Sequence, residues 1–305
     1  MTPQQRDDAP FLEGSWKPRP ACRSQVEVFE ASDGYQFHYR RFEPVESRGT
    51  VIFLHGIQSH GGWYTQTATA LSMAGWRVLL LDRRGSGLND VDRGHASSAD
   101  RLLADLFEFA GSTASHECGS RPALLSVSWG GKIALSAAAA RPDLFQAVGL
   151  LYPGIRTRLP ISTAKQVLLA GADRLGAGRK LIELPLHDSS LFTAEPAARR
   201  FLETDPLALH HVSVSFLRAG LELDRLANSA AAALQIPCLL MLAGEDRIVD
   251  NAATEELFDA ASRHEPKLIT YPGARHTLEF EPTRGKVVAD LLDWLDTILN
   301  AEASQ

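Results

Sequence analysis

From Val51 onward, short unbroken apolar runs alternate with stretches whose apolar residues recur at helical spacing. Val51–Leu54, Trp76–Leu81, Pro122–Val127 and Ala147–Leu151 read as strands. Trp63–Ala74, Ser98–Ala110 and Trp129–Ala140 read as the helices between them; the first ends at Gly75 and the last before Pro142. Strands joined by helices in this way predict βαβ units and a mostly parallel sheet covered on both faces. Upstream, Gln25–Glu30 and Tyr35–Phe42 flank Ser32-Asp33-Gly34, a hairpin signal with a turn glycine.

The alternation stops after Leu151. Residues 154–234 are helix-like, most clearly at Thr163–Leu175 and Val212–Leu234, and hold no comparable strand run. It resumes with a strand at Pro237–Leu242, a helix at Ala252–Ser262, a strand at Lys267–Tyr271 and an amphipathic helix at Lys286–Leu299. The pattern divides the chain into an N-terminal arm (1–24), a first part of an α/β core (25–153), a helical cap (154–234) and a second part of the core (235–305). A length of 305 residues suits one core carrying an insertion.

Charge narrows the choice of partner. The formal net charge is −6, so no basic field exists to hold nucleic acid, and a neutral small molecule is the expected substrate. Cys22, Cys118 and Cys238 are too scattered for a disulfide framework or a metal site. No HExxH is present, so neither metal nor other cofactor is expected. No stretch approaches the roughly 20 apolar residues of a spanning helix. The opening MTPQQRDDAPFLEG lacks the apolar stretch of a secretory leader, which makes the cytoplasm the expected location.

The candidate chemistry begins at Ser126-Val127-Ser128-Trp129-Gly130, between a strand and a helix. A serine on such a sharp turn has its hydroxyl lifted clear of the sheet. The usual pattern is G-x-S-x-G; here Ser126 takes the first glycine's place. Alone, the pentapeptide occurs often by chance and reads first as a serine capping a helix, so its partners decide. The fold's chain order is nucleophile, acid, histidine. Asp246 lies on the loop after the strand Pro237–Leu242, with Glu245 and Asp250 as rivals; Asp250 suits the N-cap of the next helix. His276 follows the strand Lys267–Tyr271, where it can take the serine proton while a carboxylate holds its tautomer. For the oxyanion, Trp129 N–H follows the nucleophile, and Ile57 N–H sits in the loop Leu54-His55-Gly56-Ile57. His55 is a rival base in that loop.

Taken in order, Phe53-Leu54-His55-Gly56, Asp82-Arg83-Arg84-Gly85-Ser86-Gly87, the Ser128 turn, Gly244-Glu245-Asp246-Arg247 and Tyr271-Pro272-Gly273-Ala274-Arg275-His276 carry a resemblance. The chain resembles the lysophospholipase and monoacylglycerol lipase family, grouped with serine aminopeptidase-like α/β-hydrolases, over roughly residues 25–300. The resemblance implies an α/β-hydrolase fold with an inserted helical cap. It also implies Ser128, Asp246 and His276 as a catalytic triad, and Ile57 and Trp129 as the oxyanion hole. Three positions depart from the family pattern: Ser126 for glycine, Val249 where monoacylglycerol lipases carry cysteine, and Asn89 for serine.

Apolar side chains of the segment 154–234, among them Leu159, Val167, Leu168, Phe192, Phe216 and Leu217, are expected mostly to pack it onto the core. Together they would form an apolar space for one acyl chain. The substrate expected is a monoacylated lipid or small acyl ester. Acyl transfer by the same triad, an aminopeptidase-type hydrolase and a non-catalytic binding protein are the competing readings.

Overall fold

In the computed structural model, residues 22–116, 121–159, 161–261 and 266–302 are described. The chain begins with strands β1 (Cys22–Glu30), β2 (Gln36–Pro44) and β3 (Gly49–Leu54). A short 3-10 turn (Gly61–Tyr64) leads into α1 (Thr65–Met73), then β4 (Trp76–Leu81), α2 (Ala99–His116), β5 (Ala123–Val127), α3 (Gly130–Ala140) and β6 (Ala147–Leu151). Between β6 and the next strand of the main sheet come α4 (Thr163–Ala172), β7 (Leu181–Glu183), α5 (Pro196–Thr204), β8 (His211–Ser213) and α6 (Val214–Ala233). The chain then runs through β9 (Cys238–Ala243), α7 (Asn251–Ala261), β10 (Lys267–Tyr271) and α8 (Arg284–Glu302).

The main sheet has eight strands in the order β1-β2-β4-β3-β5-β6-β9-β10. It is parallel from β4 to β10, with β2 antiparallel to both β1 and β4. Alternation of side chains across the pleat feeds two cores. Ile52, Leu54, Leu124 and Leu240 face one with α2, α3 and α6. Val51, Phe53, Leu125 and Met241 face the other with α1 and α8. Both faces are therefore covered, which is why β3, β4, β5 and β9 read as continuous apolar runs. The architecture is the α/β-hydrolase fold.

Three details differ from the pattern reading. β1 begins at Cys22 rather than Gln25, because Cys22–Ser24 continue the hairpin opposite Pro44–Phe42. Residues 1–21 of the expected arm, and Cys118, lie outside the described residues. The segment 154–234 holds an antiparallel pair, β7 with β8, whose three-residue strands are too short for a period-2 signal. Several of its apolar side chains also do not pack inward. Val167 and Leu168 on α4 are about 70% exposed (68% and 71%), whereas Phe192 and Phe216 are buried. α6 lies in the same layer as α2 and α3 and runs along α3.

Candidate active site

Ser128 stands between β5 and α3 at φ 49°, a left-handed conformation that costs strain in a non-glycine residue. The surroundings hold it there. Its N–H donates to Leu151 O at 3.1 Å, and its carbonyl accepts from Gly131 N and Gly154 N at 2.9 and 2.7 Å. The glycine two residues on is sterically required, since a Cβ at Gly130 would lie 2.5 Å from the carbonyl oxygen of His55. The position two residues before is less demanding. Ser126 is fully buried, its hydroxyl directed at Gly149 O at 3.4 Å, so the side chain fits where glycine was expected.

The loops after β9 and β10 bring the two partners to that hydroxyl. His276 Nε2 is 2.9 Å from Ser128 Oγ, and His276 Nδ1 is 2.8 Å from Asp246 Oδ2. An ionised carboxylate only accepts, so Nδ1 carries the proton toward Asp246 and Nε2 is left free to accept from the serine. The other carboxylate oxygen, Oδ1, accepts from the backbone N–H groups of Ile248 and Val249, both at 2.8 Å, which locks the carboxylate plane. Asp246 and His276 are both buried, with Tyr152 and Phe192 edge-on to the imidazole at 4.9 and 6.0 Å. The rival carboxylates lie elsewhere: Glu245 is exposed, and Asp250 accepts from Ala253 N at the start of α7.

Ile57 and Trp129 line the same cavity as Ser128. Among the described residues, neither backbone N–H donates to a protein acceptor. Gly56 keeps this loop against the serine, for a Cβ there would lie 3.3 Å from Ser128 Cβ. His55 is occupied instead with holding the loop. Its Nδ1 donates to Gly56 O at 2.8 Å and its Nε2 accepts Arg83 N–H at 2.9 Å. Burial and the neighbouring Arg83 push its pKa down to about 3, so it stays neutral and has no free nitrogen to serve as a base.

Other supports were not read from the chain. Arg83 is buried, and its Nη2 donates to the carbonyls of Gly56 and Ile57, both at 3.1 Å. Its guanidinium also lies 5.0 Å from the ring centre of Phe216. Burial lowers its pKa to about 9 although Asp82 favours the charge. Ser59 Oγ accepts Gly56 N–H at 2.9 Å and the Tyr64 hydroxyl at 3.0 Å, a second anchor for the loop. Asp205, on the segment between β6 and β9, accepts from Trp63 Nε1 at 2.6 Å and meets His60 Nε2 at 3.0 Å. Its burial opposes the charge, but the hydrogen-bonded His60 holds the carboxyl below its ordinary range. The Asp82 loop is structural: Asp82 accepts from Gly61 N, Leu88 N and Arg40, and Asn89 Oδ1 accepts from His38 N.

Ser128 opens on a cavity of about 580 Å³. Its walls come from the loop after β3, from α3 and α6, and from Ile155–Leu186. Ile155, Ile161, Leu184, Phe216, Leu217 and Leu221 make most of it apolar.

A family model described as serine aminopeptidase, S33, matches residues 45–283, which spans every element of this site. The chain belongs to that family. A monoacylglycerol lipase of Mycolicibacterium smegmatis is 27% identical over 270 residues, covering 88% of this chain and 95% of the relative. The monoglyceride lipase of Homo sapiens is 27% identical over 256 residues, 82% of each chain. Among solved structures, a monoacylglycerol lipase of Paleococcus ferrophilus superposes with a TM-score of 0.78 at 22% identity, covering 86% of this chain and 99% of that one. That likeness bears out the fold. The chain is a carboxylic ester hydrolase. Among the described residues, no group of three His, Cys, Asp or Glu is placed to hold a metal, and no helix is long and apolar enough to cross a membrane.

Proposed function

We propose that this carboxylic ester hydrolase cleaves esters carrying a single acyl chain, monoacylglycerols and small monoacyl esters foremost, through an acyl-enzyme on Ser128. The observation that carries the reading is the hydrogen-bonded series Ser128–His276–Asp246 at the floor of a largely apolar cavity of about 580 Å³.

In this mechanism Ser128 Oγ attacks the ester carbonyl carbon while its proton passes to His276 Nε2. The imidazolium is stabilised by Asp246, and the tetrahedral oxyanion is received by the N–H groups of Ile57 and Trp129. Collapse breaks the bond to the alcohol oxygen, which leaves with the proton from His276. Water then enters, His276 removes its proton, and the same two steps run in reverse to release the acid and restore Ser128. Hydrophobic burial of the chain supplies about 0.8 kcal/mol per CH₂, and the cavity suits one chain. The part of the segment 154–234 that precedes α6 acts as the cap that walls this space. The names of the similar lipases support the same substrate class. An N-terminal peptide would need an acidic pocket for its ammonium. The carboxylate of Asp224 in the cavity is already paired with Lys132, so the ester reading is the better fit.

Free acid released from 1-monoacylglycerols of medium chain length, with triacylglycerol emulsions and aminoacyl anilides as comparisons, tests this. Monoacyl substrates should be turned over well above both, and adding free glycerol should leave free acid as the main product. Faster cleavage of the anilides, or a new ester in place of the acid, would overturn it.

A further inference from the structure

The cavity has a polar end that the hydrolytic steps do not use. Lys132 lies on the first turn of α3, three residues beyond Trp129. The residue is 7% exposed, yet it lines the cavity. Its ammonium is 2.5 Å from Asp224 Oδ1 on α6, an ion pair in which the lysine side chain is 9% and the aspartate side chain 31% exposed. One turn further along α6, Asn228 Nδ2 donates to Asp224 O at 2.6 Å, while Asn228 Oδ1 is buried and has no partner among the described residues. Asp224 and Asn228 line the cavity as well.

Two aliphatic side chains would pack α3 against α6 at least as well as this partly exposed ion pair. Buried oxygens without donors are rare, and each calls for an explanation. Here Asn228 Oδ1 is such an oxygen, one turn along α6 from the carboxylate of an ion pair whose ammonium has further protons to give. The missing complement is a group that both donates and accepts. A hydroxyl does this: its O–H can go to Asn228 or Asp224 while its oxygen accepts from Lys132.

We infer that Lys132, Asp224 and Asn228 form a subsite for a hydroxyl group carried by the substrate. This rests on the ester-hydrolase reading and names a feature of the substrate that the reading leaves open. The hydroxyl belongs either to the alcohol portion or to the acyl chain. A charge-assisted hydrogen bond is worth about tenfold or more in discrimination against an analogue lacking the hydroxyl.

Two matched pairs of esters distinguish the sources: glyceryl against propyl decanoate, and ethyl hydroxydecanoates against ethyl decanoate. The wild type should favour the hydroxylated member of one pair in kcat/KM by about tenfold or more. Lys132→Met should bring that ratio close to one, and so should Asn228→Leu, which keeps the ion pair. Melting temperature checks that both variants fold. A pair serving only to tie α3 to α6 would lower the melting temperature and leave the ratio intact. Calorimetric binding of the same esters to Ser128→Ala protein separates the subsite from the chemistry. A hydroxyl preference in binding that disappears with Lys132→Met supports the subsite even if no ester is turned over. Turnover of all the esters with no hydroxyl preference in the wild type, or a preference that survives both substitutions, overturns the subsite and leaves the hydrolytic reading standing.

Discussion

The guanidinium of Arg83 lies 4.8 Å from the centre of the Trp129 ring, so one buried cation touches both residues proposed to donate to the oxyanion. It stacks on the side chain of one and bonds the carbonyl of the other. Two further nitrogens of Arg83, Nε and Nη1, are buried without partners among the described residues, so its charge is not spent on a carboxylate at that face. The expected outcome is that Arg83→Met lowers kcat by about tenfold or more, with a smaller change in KM. Arg83→Lys should not restore it, because an ammonium cannot bond two carbonyls and stack on a ring at once. Steady-state kinetics on a short-chain nitrophenyl ester checks this; a folded Arg83→Met protein with unchanged kcat would contradict it.

Asp246→Asn separates orientation from charge. The amide oxygen can still accept from Ile248 and Val249, so the loop should keep its shape. The amide nitrogen would then face His276 Nδ1 as a donor, which forces the proton onto Nε2 and leaves nothing to accept from Ser128. A fall in kcat of about 10⁴ is expected, with melting temperature little changed. A loss below about tenfold would show that another group holds the imidazole.

Phe216 separates packing from substrate contact. Its ring is fully buried and stacks on Trp129 at 4.8 Å, so Phe216→Ala should cost about 3–5 kcal/mol of stability in denaturant unfolding. Leu221 lines the cavity without being fully buried and is the better probe of chain length. Leu221→Trp should depress decanoate esters by about tenfold while acetate esters change little, since about 0.8 kcal/mol is forfeited for each CH₂ displaced. Equal losses for both lengths would remove the acyl chain from this part of the cavity.

Glu279, three residues past His276, gives a pH test of stability. Burial lifts its carboxyl from 4.5 to about 7, although Thr67 donates to it through both its backbone N–H and its hydroxyl. The native protein therefore keeps a proton that the unfolded chain releases in this interval. The stability linked to that proton is complete below about pH 4.5 and is lost as pH rises through about 7. Relative to Glu279→Gln, the wild type should lose melting temperature between about pH 5 and pH 8. A constant difference between the two proteins across that range would contradict the assignment.

The chain displays most of its sheet because strands buried on both faces leave unbroken apolar runs, as at Trp76–Leu81 and Cys238–Ala243. Ser128, Asp246 and His276 were legible for a related reason: each follows the end of a strand, where a loop frees a side chain. What stayed hidden acts across elements. Arg83 stands in the sequence only within the Asp82–Gly87 stretch, and the packed fold puts it between Ile57 and Trp129. β7 and β8 are too short to alternate, and the exposure of Val167 and Leu168 depends on how α4 sits. Lys132 did leave a trace, as a single charge among the apolar and small residues of Gly130–Ala140. Its partner is more than 90 residues away, on α6, and spacing along the chain cannot reveal such a pair.

The central claim is an acyl group carried on Ser128. The direct measurement is mass spectrometry of protein quenched during turnover of a medium-chain nitrophenyl ester, followed by peptide mapping. The account predicts an adduct of the acyl mass on the peptide holding Ser128, absent from Ser128→Ala and present in Ser126→Ala. It also predicts accumulation when His276→Ala is acylated by an activated ester, because deacylation needs the base. An adduct that maps to Ser126, or turnover by Ser128→Ala at the wild-type rate, would contradict it.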